Sequence, residues 1–162
     1  AWALIPEQSE KYVFTTEWYD IPVASTANLI SEADWQTLIT VKSAVNKQIE
    51  VARNAKLIGS NLSAKVELWA HPELKTTLDL LDNELRFVLI TSTVFVKDFD
   101  AAQGEATDLD GLRVQVSAAE GEKCVRCWHV LPDVNTHLEH LGLCARCIIN
   151  LPTGQGEERK YA

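Results

Sequence analysis

Four cysteines, arranged as two closely spaced pairs, constrain this sequence more than any other feature. Cys124 and Cys127 form the first pair, Cys144 and Cys147 form the second, and residues 128–143 separate the two. That separation falls in the window of roughly 15–20 residues that is typical of zinc sites. Two intervening residues allow one tight turn to direct both sulfurs to a common point, so two such turns supply four ligands for a tetrahedral ion. The spacing therefore predicts a zinc ion bound by all four cysteines.

Three other interpretations of these cysteines stay open at this point. Soft thiolate ligands select zinc or an iron–sulfur cluster over magnesium or calcium, although iron–sulfur sequences usually have other spacings. Disulfides or redox thiols are a second alternative, but disulfides need an oxidising compartment, for which nothing in the sequence argues. A site of three cysteines and one histidine is the third, with one of His129, His137 and His140 replacing a cysteine. Otherwise we expect these histidines at the surface or stacked on bases.

The predicted metal site is structural rather than hydrolytic. Four sulfur ligands leave a zinc ion no open position for a water molecule. Residues 121–162 hold too few large apolar side chains to build a stable core alone. Zinc binding, which contributes roughly 10–16 kcal/mol in small metal-folded peptides, would supply the missing stability. Lys123, Arg126 and Arg146 lie beside the ligands, where they either offset the charge of the thiolates or contact nucleic acid.

The acidic balance of the chain limits its partners. The net charge is -8; residues 58–120 carry most of it, whereas residues 121–162 are neutral. A basic footprint is the usual sign of phosphate contact, so a general nucleic-acid binder is excluded and any such contact has to be local. The sequence has neither the roughly 18 consecutive apolar residues of a membrane span nor a signal-peptide pattern, and we expect a soluble, cytosolic protein. The lack of methionine and the apolar opening Ala1–Ile5 indicate a piece of a longer protein.

Helical periodicity predicts one long helix over residues 32–57. Ser31 and Asp34 resemble a capping box at its start, with Asp in place of the usual Glu or Gln. Apolar residues recur at helical spacing from there onward. The run Gly59-Ser60-Asn61 predicts the end of the helix.

The middle of the chain alternates between strand and helix patterns. Residues 64–69 and 112–117 alternate with a period of two, as half-buried strands do, and Pro72 suits the first turn of a helix. Residues 87–96 are apolar on both faces, which predicts a central strand. The connection over residues 70–86 is long enough for a parallel crossover. We therefore expect a β-α-β unit with an added hairpin strand.

Three segments of the sequence resemble the same protein family. The pattern from Cys124 to Cys147 is similar to the zinc finger shared by bacterial isoleucyl-tRNA synthetases and formamidopyrimidine-DNA glycosylases. Residues 11–18, KYVFTTEW, resemble a segment of the helical tRNA-binding region of the synthetases. Residues 49–62, IEVARNAKLIGSNL, resemble a signature of that region closely. The order of helix, small α/β unit and terminal finger fits as well, so the resemblance covers nearly the whole chain.

The chemistry of the two families chooses between them. The glycosylases use an N-terminal proline amine as nucleophile, whereas Pro6 is internal and its nitrogen is an amide. The resemblance therefore implies the C-terminal portion of a bacterial-type isoleucyl-tRNA synthetase. The ATP-binding motifs of the synthetases, the HIGH and KMSKS types, are absent, as are a P-loop and a G-x-G-x-x-G motif. We expect no catalytic residue in this chain, so the ATP-dependent attachment of isoleucine would belong to other domains.

The resemblance implies an α+β fold class with three parts. Residues 1–62 would end the helical anticodon-binding region, residues 63–120 would form a small β-α-β-β unit, and residues 121–162 would form the four-cysteine zinc finger. The implied cofactor is zinc. The implied partners are isoleucine tRNA and the remaining catalytic and editing domains of the synthetase chain, with neither DNA nor a membrane among them.

The resemblance also implies that the chain holds the anticodon stem-loop side of the tRNA. This role requires cations for phosphates and stacking groups for unpaired bases. The candidate contacts are Lys42, Arg53 and Lys56 in the long helix, and Arg126, Trp128, His129 and Arg146 in the finger. The helix cations are equally typical of an ordinary solvated face, and Trp128 is alternatively a core residue that covers the metal site. The competing hypothesis is a zinc-ribbon interaction or bracing module without RNA contact, which would explain the acidic middle more naturally.

Overall fold

The computed structural model describes residues 2–5, 10–18, 20 and 30–161. Part of the first predicted unit, including Pro6 and residues 21–29, lies outside these described residues. None of the described helices is both long and apolar enough to cross a membrane.

Helix α1 spans Glu32–Asn54 and begins at the predicted capping box. The backbone N–H of Asp34 donates to the Ser31 hydroxyl, and the Asp34 carboxylate accepts from the backbone N–H of Ser31. The helix ends before the predicted residue 57 and before the glycine run. Lys56 takes a left-handed φ of 58°, and the N–H of Leu57 donates to the carbonyl of Ala52. This is a Schellman motif with Lys in the position that Gly usually occupies, which explains why the sequence placed the end too late.

Four strands form the main sheet, in the order β2-β1-β4-β3. The central strand β1, Ala64–Ala70, pairs in parallel with β2, Thr93–Asp98. On its other edge β1 pairs antiparallel with β4, Leu112–Ala118. The short β3, Glu105–Ala106, lies outside β4. The β-α-β unit is therefore confirmed, but the added strand β4 lies against β1 and does not form a hairpin with β2.

The crossover from β1 to β2 contains two helices. Helix α2 spans Pro72–Asp79 with Pro72 in its first turn, as predicted, and α3 spans Leu85–Leu89. The prediction of a central strand over residues 87–96 is wrong. Its first part belongs to α3, and Ile90 ends that helix in a left-handed conformation with φ 57°. The strand β2 begins only at Thr93 and lies at the edge of the sheet, where its residues are half-buried or exposed.

One apolar core joins α1 to the sheet and to the crossover helices. Leu38, Val45 and Ile49 of α1 are fully buried, as are Val66 and Leu68 of β1, and all belong to the same buried cluster. Trp35 of α1 is half-buried and packs against this cluster. The core therefore crosses position 62, where the sequence suggested a boundary, and the division into three parts stays a prediction.

The remaining segment forms a second, smaller unit. Its strands β5, Glu122–Lys123, and β6, Val130–Leu131, pair antiparallel, and helix α4 spans Ala145–Ile149. The buried cluster of this unit consists of three cysteines and Val134. This composition agrees with the expectation that the segment has too little apolar surface to fold without a metal. The whole is an α+β fold that carries a four-cysteine cluster, as predicted.

Candidate metal centre and the arginines beside it

Two tight turns bring the cysteines together. In the first turn, between β5 and β6, the N–H of Trp128 donates to the carbonyl of Cys124, and the N–H of Cys124 donates to the carbonyl of His129, both at 2.9 Å. In the second turn Cys144 directly precedes α4, and the Asp133 carboxylate accepts from the N–H of Ala145 at 2.7 Å. These bonds fix the backbone of both turns in the folded unit, so that the four cysteine side chains point to one place.

The four sulfurs form a compact cluster that fits a tetrahedral zinc ion. All four lie within 4.8 Å of one another, and the sulfurs of Cys127 and Cys144 are 3.7 Å apart. A zinc ion with Zn–S bonds of about 2.3 Å places its sulfurs about 3.8 Å apart. The cysteines are free thiols without a disulfide. Cys124, Cys144 and Cys147 are buried and Cys127 is half-buried, so the site is closed to solvent on most sides.

The surroundings favour ionisation of one thiol and disfavour it at two others. Burial opposes the charged form of Cys124, but backbone N–H groups of Cys127, Cys144 and Arg126 outweigh burial and lower the pKa of Cys124 to about 6. Burial raises the pKa of the Cys144 and Cys147 thiols, and neighbouring cysteines add to this effect for both. Burial and the neighbouring cysteines therefore disfavour four thiolates at this site without a cation. A divalent ion would supply that charge and displace the remaining thiol protons.

The structure places the predicted histidines away from the sulfur cluster. No histidine belongs to the metal-ligating group found among the described residues, so the alternative with one histidine ligand has no geometric support. The expectation that His129 lies at the surface is wrong, because the residue is only 8% exposed and packs edge-to-face on Phe87. Burial, and then the charges of Arg86 and Arg146, lower the pKa of His129. A neutral, buried imidazole cannot stack on a base from solvent.

Trp128 is exposed, unlike a core residue. Its side chain is 59% accessible, and its backbone takes a φ of 67°, a conformation that bulky residues rarely adopt. The Lys123 ammonium lies 5.6 Å from the centre of a Trp128 ring. The alternative in which Trp128 is a core residue is therefore wrong, and much of the indole is accessible to solvent.

The arginines of the finger belong to a larger cluster that the sequence did not reveal. The guanidinium groups of Arg86, Arg146 and Arg159 lie 4.8, 4.7 and 4.3 Å from the centre of the Phe87 ring. The carboxylate of Glu157 accepts from Nε of Arg146 at 2.8 Å and from Nε of Arg159 at 2.9 Å. Residues from three distant segments converge at this point, so no local pattern could have indicated the cluster.

The helix cations form no comparable group. Lys42 is half-buried, and Arg53 is exposed and forms an ion pair with Glu50 at 3.0 Å. Lys56 lies in the turn that ends α1 and is exposed. The cleft beside the metal centre is lined by the finger arginines and by none of these three residues. The two groups of predicted RNA contacts are thus separate features of the structure.

Besides the arginines that stack on Phe87, further contacts of the described residues join the metal-binding unit to the sheet and to the crossover helices. The hydroxyl of Ser92, just before β2, accepts from the N–H of Val130 at 2.7 Å. The Glu84 carboxylate accepts from the N–H groups of Lys160 and Tyr161, each at 2.7 Å. His129 adds an edge-to-face contact with Phe87. The two units are therefore joined at several separate points.

Comparison with known proteins finds relatives that match the whole chain. Residues 121–149 match the family described as "Zinc finger found in FPG and IleRS". The chain is 78% identical over 162 residues to the isoleucine–tRNA ligase of Acinetobacter baylyi and 46% identical over 166 residues to that of Cronobacter sakazakii. The alignments cover 100% and 99% of this chain but only 17% and 18% of the two relatives. They confirm the resemblance that the sequence indicated, and they show that it concerns one segment of longer proteins.

Proposed function

We propose that this chain is the C-terminal tRNA-binding part of an isoleucine–tRNA ligase and contacts the anticodon stem-loop side of isoleucine tRNA. The observation that carries the proposal is the 78% identity across the entire chain to a protein named for that activity. The ATP-dependent attachment of isoleucine would then take place in the catalytic domain of the longer chain, with the editing domain as a further partner. Such a ligase would work in the cytoplasm, where tRNA is charged.

The proposed role of the metal is structural. Cys124, Cys127, Cys144 and Cys147 would hold a zinc ion, whose chemistry here is to link the two turns through four Zn–S bonds. The residues of the chain do the rest. Hydrogen bonds at each turn orient the sulfurs, and the linked turns hold Arg126, Arg146 and Trp128 in fixed positions next to one another.

The contacts with RNA would be few and local. The net charge of -8 repels a polyanion, so the chain would orient the tRNA more than it supplies affinity. Arg126 and Trp128 are the exposed candidates in the finger, and one offers charge while the other offers a stacking face. His129 no longer belongs to the proposed contacts because it is buried. Lys42, Arg53 and Lys56 stay as proposed contacts in the helix.

A second candidate function is a brace that contacts no RNA. Hydrogen bonds between the finger and the rest of the fold support it. Ser92 bonds to Val130, and Glu84 bonds to Lys160 and Tyr161. A brace would need its cysteines but not the charge of its exposed arginines.

The experiment compares three variants in the full ligase chain. Arg126→Glu reverses an exposed charge beside the metal centre, Cys124→Ser removes a ligand, and Lys75→Glu reverses a charge on α2 as the matched control. We expect Arg126→Glu to raise KM for tRNA about tenfold with zinc content and the KM for isoleucine unchanged. Cys124→Ser should lose zinc and damage every parameter. If Arg126→Glu retained wild-type aminoacylation kinetics with zinc bound, the brace would replace the RNA-binding proposal.

A further inference from the structure

A surface cleft of about 400 Å³ lies directly beside the metal centre. Three of its lining residues are arginines, and none of its lining residues carries a carboxylate. The residues that line it are Arg126, Cys127, Arg146, Cys147, Asn150 and Arg159. Such a concentration of guanidinium groups is unusual in a chain with 23 acidic and 15 basic residues, and it gives the cleft several N–H donors of the kind that contact phosphate.

The arginines are held in place from outside the cleft. Glu157 contacts Nε of Arg146 and Nε of Arg159, but Glu157 itself lines a neighbouring cleft and not this one. The ring of Phe87 supports both guanidinium groups through its face. Asn150 completes the arrangement, since its side chain donates to the carbonyl of Arg146 and accepts from the N–H of Glu157. Two arginines are therefore fixed in one orientation before any ligand arrives.

The described hydrogen bonds of these arginines go to oxygen atoms. Those of Arg146 and Arg159 go to the Glu157 carboxylate, and that of Arg126 goes to the carbonyl of Cys147 at 3.4 Å. The bonds of Arg146 and Arg159 to Glu157 start from Nε, and a guanidinium group has further N–H donors that can meet phosphate oxygens.

We infer that the cleft binds one backbone phosphate of the RNA, with Arg126, Arg146 and Arg159 as donors and Glu157 as a positioning residue. The inference rests on the proposed function and adds to it a single phosphate site and a role for the C-terminal tail. A backbone phosphodiester suits the site better than a small free anion, because the cleft is open to the surface and an exposed aromatic residue, Trp128, directly follows its lining residue Cys127 in the chain. The fork of a guanidinium group matches the geometry of phosphate oxygens.

Phosphate ethylation interference tests the site in the full ligase chain. Isoleucine tRNA carrying about one ethylated phosphate per molecule is sorted into bound and free fractions for the wild type, Arg159→Gln and the control Lys75→Gln. In the wild type, ethylation of one phosphate or two adjacent ones near the anticodon stem should block binding. In Arg159→Gln that interference should disappear and binding should weaken about tenfold. The slope of log affinity against log salt concentration should decrease by about 1, as expected for one lost phosphate contact. Lys75→Gln should match the wild type.

The outcomes separate this inference from the proposed function. If the wild type binds tRNA and its interference pattern is unchanged in Arg159→Gln, the phosphate site is refuted while tRNA binding stands. If no phosphate near the anticodon stem interferes in the wild type, the proposed function itself fails. Calorimetric titration with inorganic phosphate provides the remaining arm. Binding of inorganic phosphate that Arg159→Gln abolishes, with no change in tRNA interference, would assign the cleft to a small anion and overturn the inference.

Two substitutions of Glu157 test the positioning role. Glu157→Ala makes the cleft more positive, so charge alone predicts tighter binding of tRNA. Positioning predicts the opposite, a loss of about fivefold, because two guanidinium groups lose the partner that orients them. Glu157→Gln keeps an oxygen acceptor at the same place and should restore binding and the interference at the same phosphate. Tighter binding by Glu157→Ala would show that the carboxylate competes with the RNA and would refute its positioning role.

Discussion

Removal of the Ser92 hydroxyl should weaken the contact between the metal-binding unit and the sheet. Ser92 is fully buried, and its hydroxyl accepts from the N–H of Val130 and donates to the carbonyl of Leu62. Ser92→Ala leaves both backbone groups without this partner, in residues that are half-buried. A fully buried group without a partner costs about 1–3 kcal/mol. Because water can reach a half-buried group in part, we expect a loss of about 1–3 kcal/mol for the two together in the free energy of unfolding. Urea denaturation of the zinc-loaded protein, followed by circular dichroism, measures this loss.

The matched control for this experiment is Ser43→Ala. Its hydroxyl also donates to a backbone carbonyl, that of Ile39, but on the exposed face of α1. Because water can replace the lost bond and Ala favours a helix, the control should change stability by less than about 0.5 kcal/mol. Ser92→Ala should also release zinc to a chelator faster than the control does. Equal stability and equal zinc release for the two variants would refute the role of Ser92 as a link between the units.

Two further predictions concern Glu157, which bonds to Arg146 and Arg159, and Gly121, which directly precedes β5. Burial raises the pKa of Glu157, but hydrogen bonds from Arg159 and Arg146 outweigh burial and lower this pKa overall. The ionised Glu157 carboxylate therefore stabilises the protein above pH 4.5, the ordinary pKa. This stabilisation is lost as the pH falls through the lower pKa of the folded state. Thermal melts should therefore show the wild type more stable than Glu157→Gln at pH 7 and the difference shrinking as the pH falls below 4.5; a constant difference would contradict this. Gly121→Ala should destabilise the protein by more than about 1 kcal/mol and impair zinc retention, because Gly121 has φ 107° and an added Cβ would lie 2.3 Å from the Leu131 carbonyl carbon. Gly59→Ala, where nothing lies within 4 Å of an added Cβ, should leave both properties unchanged, and similar losses in the two variants would argue against the steric reason.

Features that depend on neighbouring residues could be predicted from the sequence. The capping box needs only Ser31 and Asp34, three positions apart, and each cysteine turn needs only two cysteines with two residues between them. Period-two alternation in the sequence identified β1, because the two faces of this strand have different surroundings in the fold. In each case the physical cause lies within a few residues, so a short window contains the necessary information.

Features that depend on left-handed residues or on distant contacts could not be predicted. Lys56 and Ile90 end their helices with positive φ angles, and neither residue type indicates such a conformation. The burial of His129 depends on its contact with Phe87, which is 42 positions earlier in the chain. The cleft arginines owe their orientation to Glu157 and to that same ring. Tertiary packing decides all of these features, and no local pattern records it.

The order of the strands along the chain has a consequence for biosynthesis. The central strand β1 is made first, yet its partners β2 and β4 follow about 30 and 50 residues later. While the ribosome adds those residues, both edges of β1 offer unpaired N–H and carbonyl groups, and its alternate side chains are apolar. Unpaired edges of this kind are where nascent chains aggregate. Helix α1, which is already complete when β1 emerges and later packs against the sheet, is available to shield it during translation.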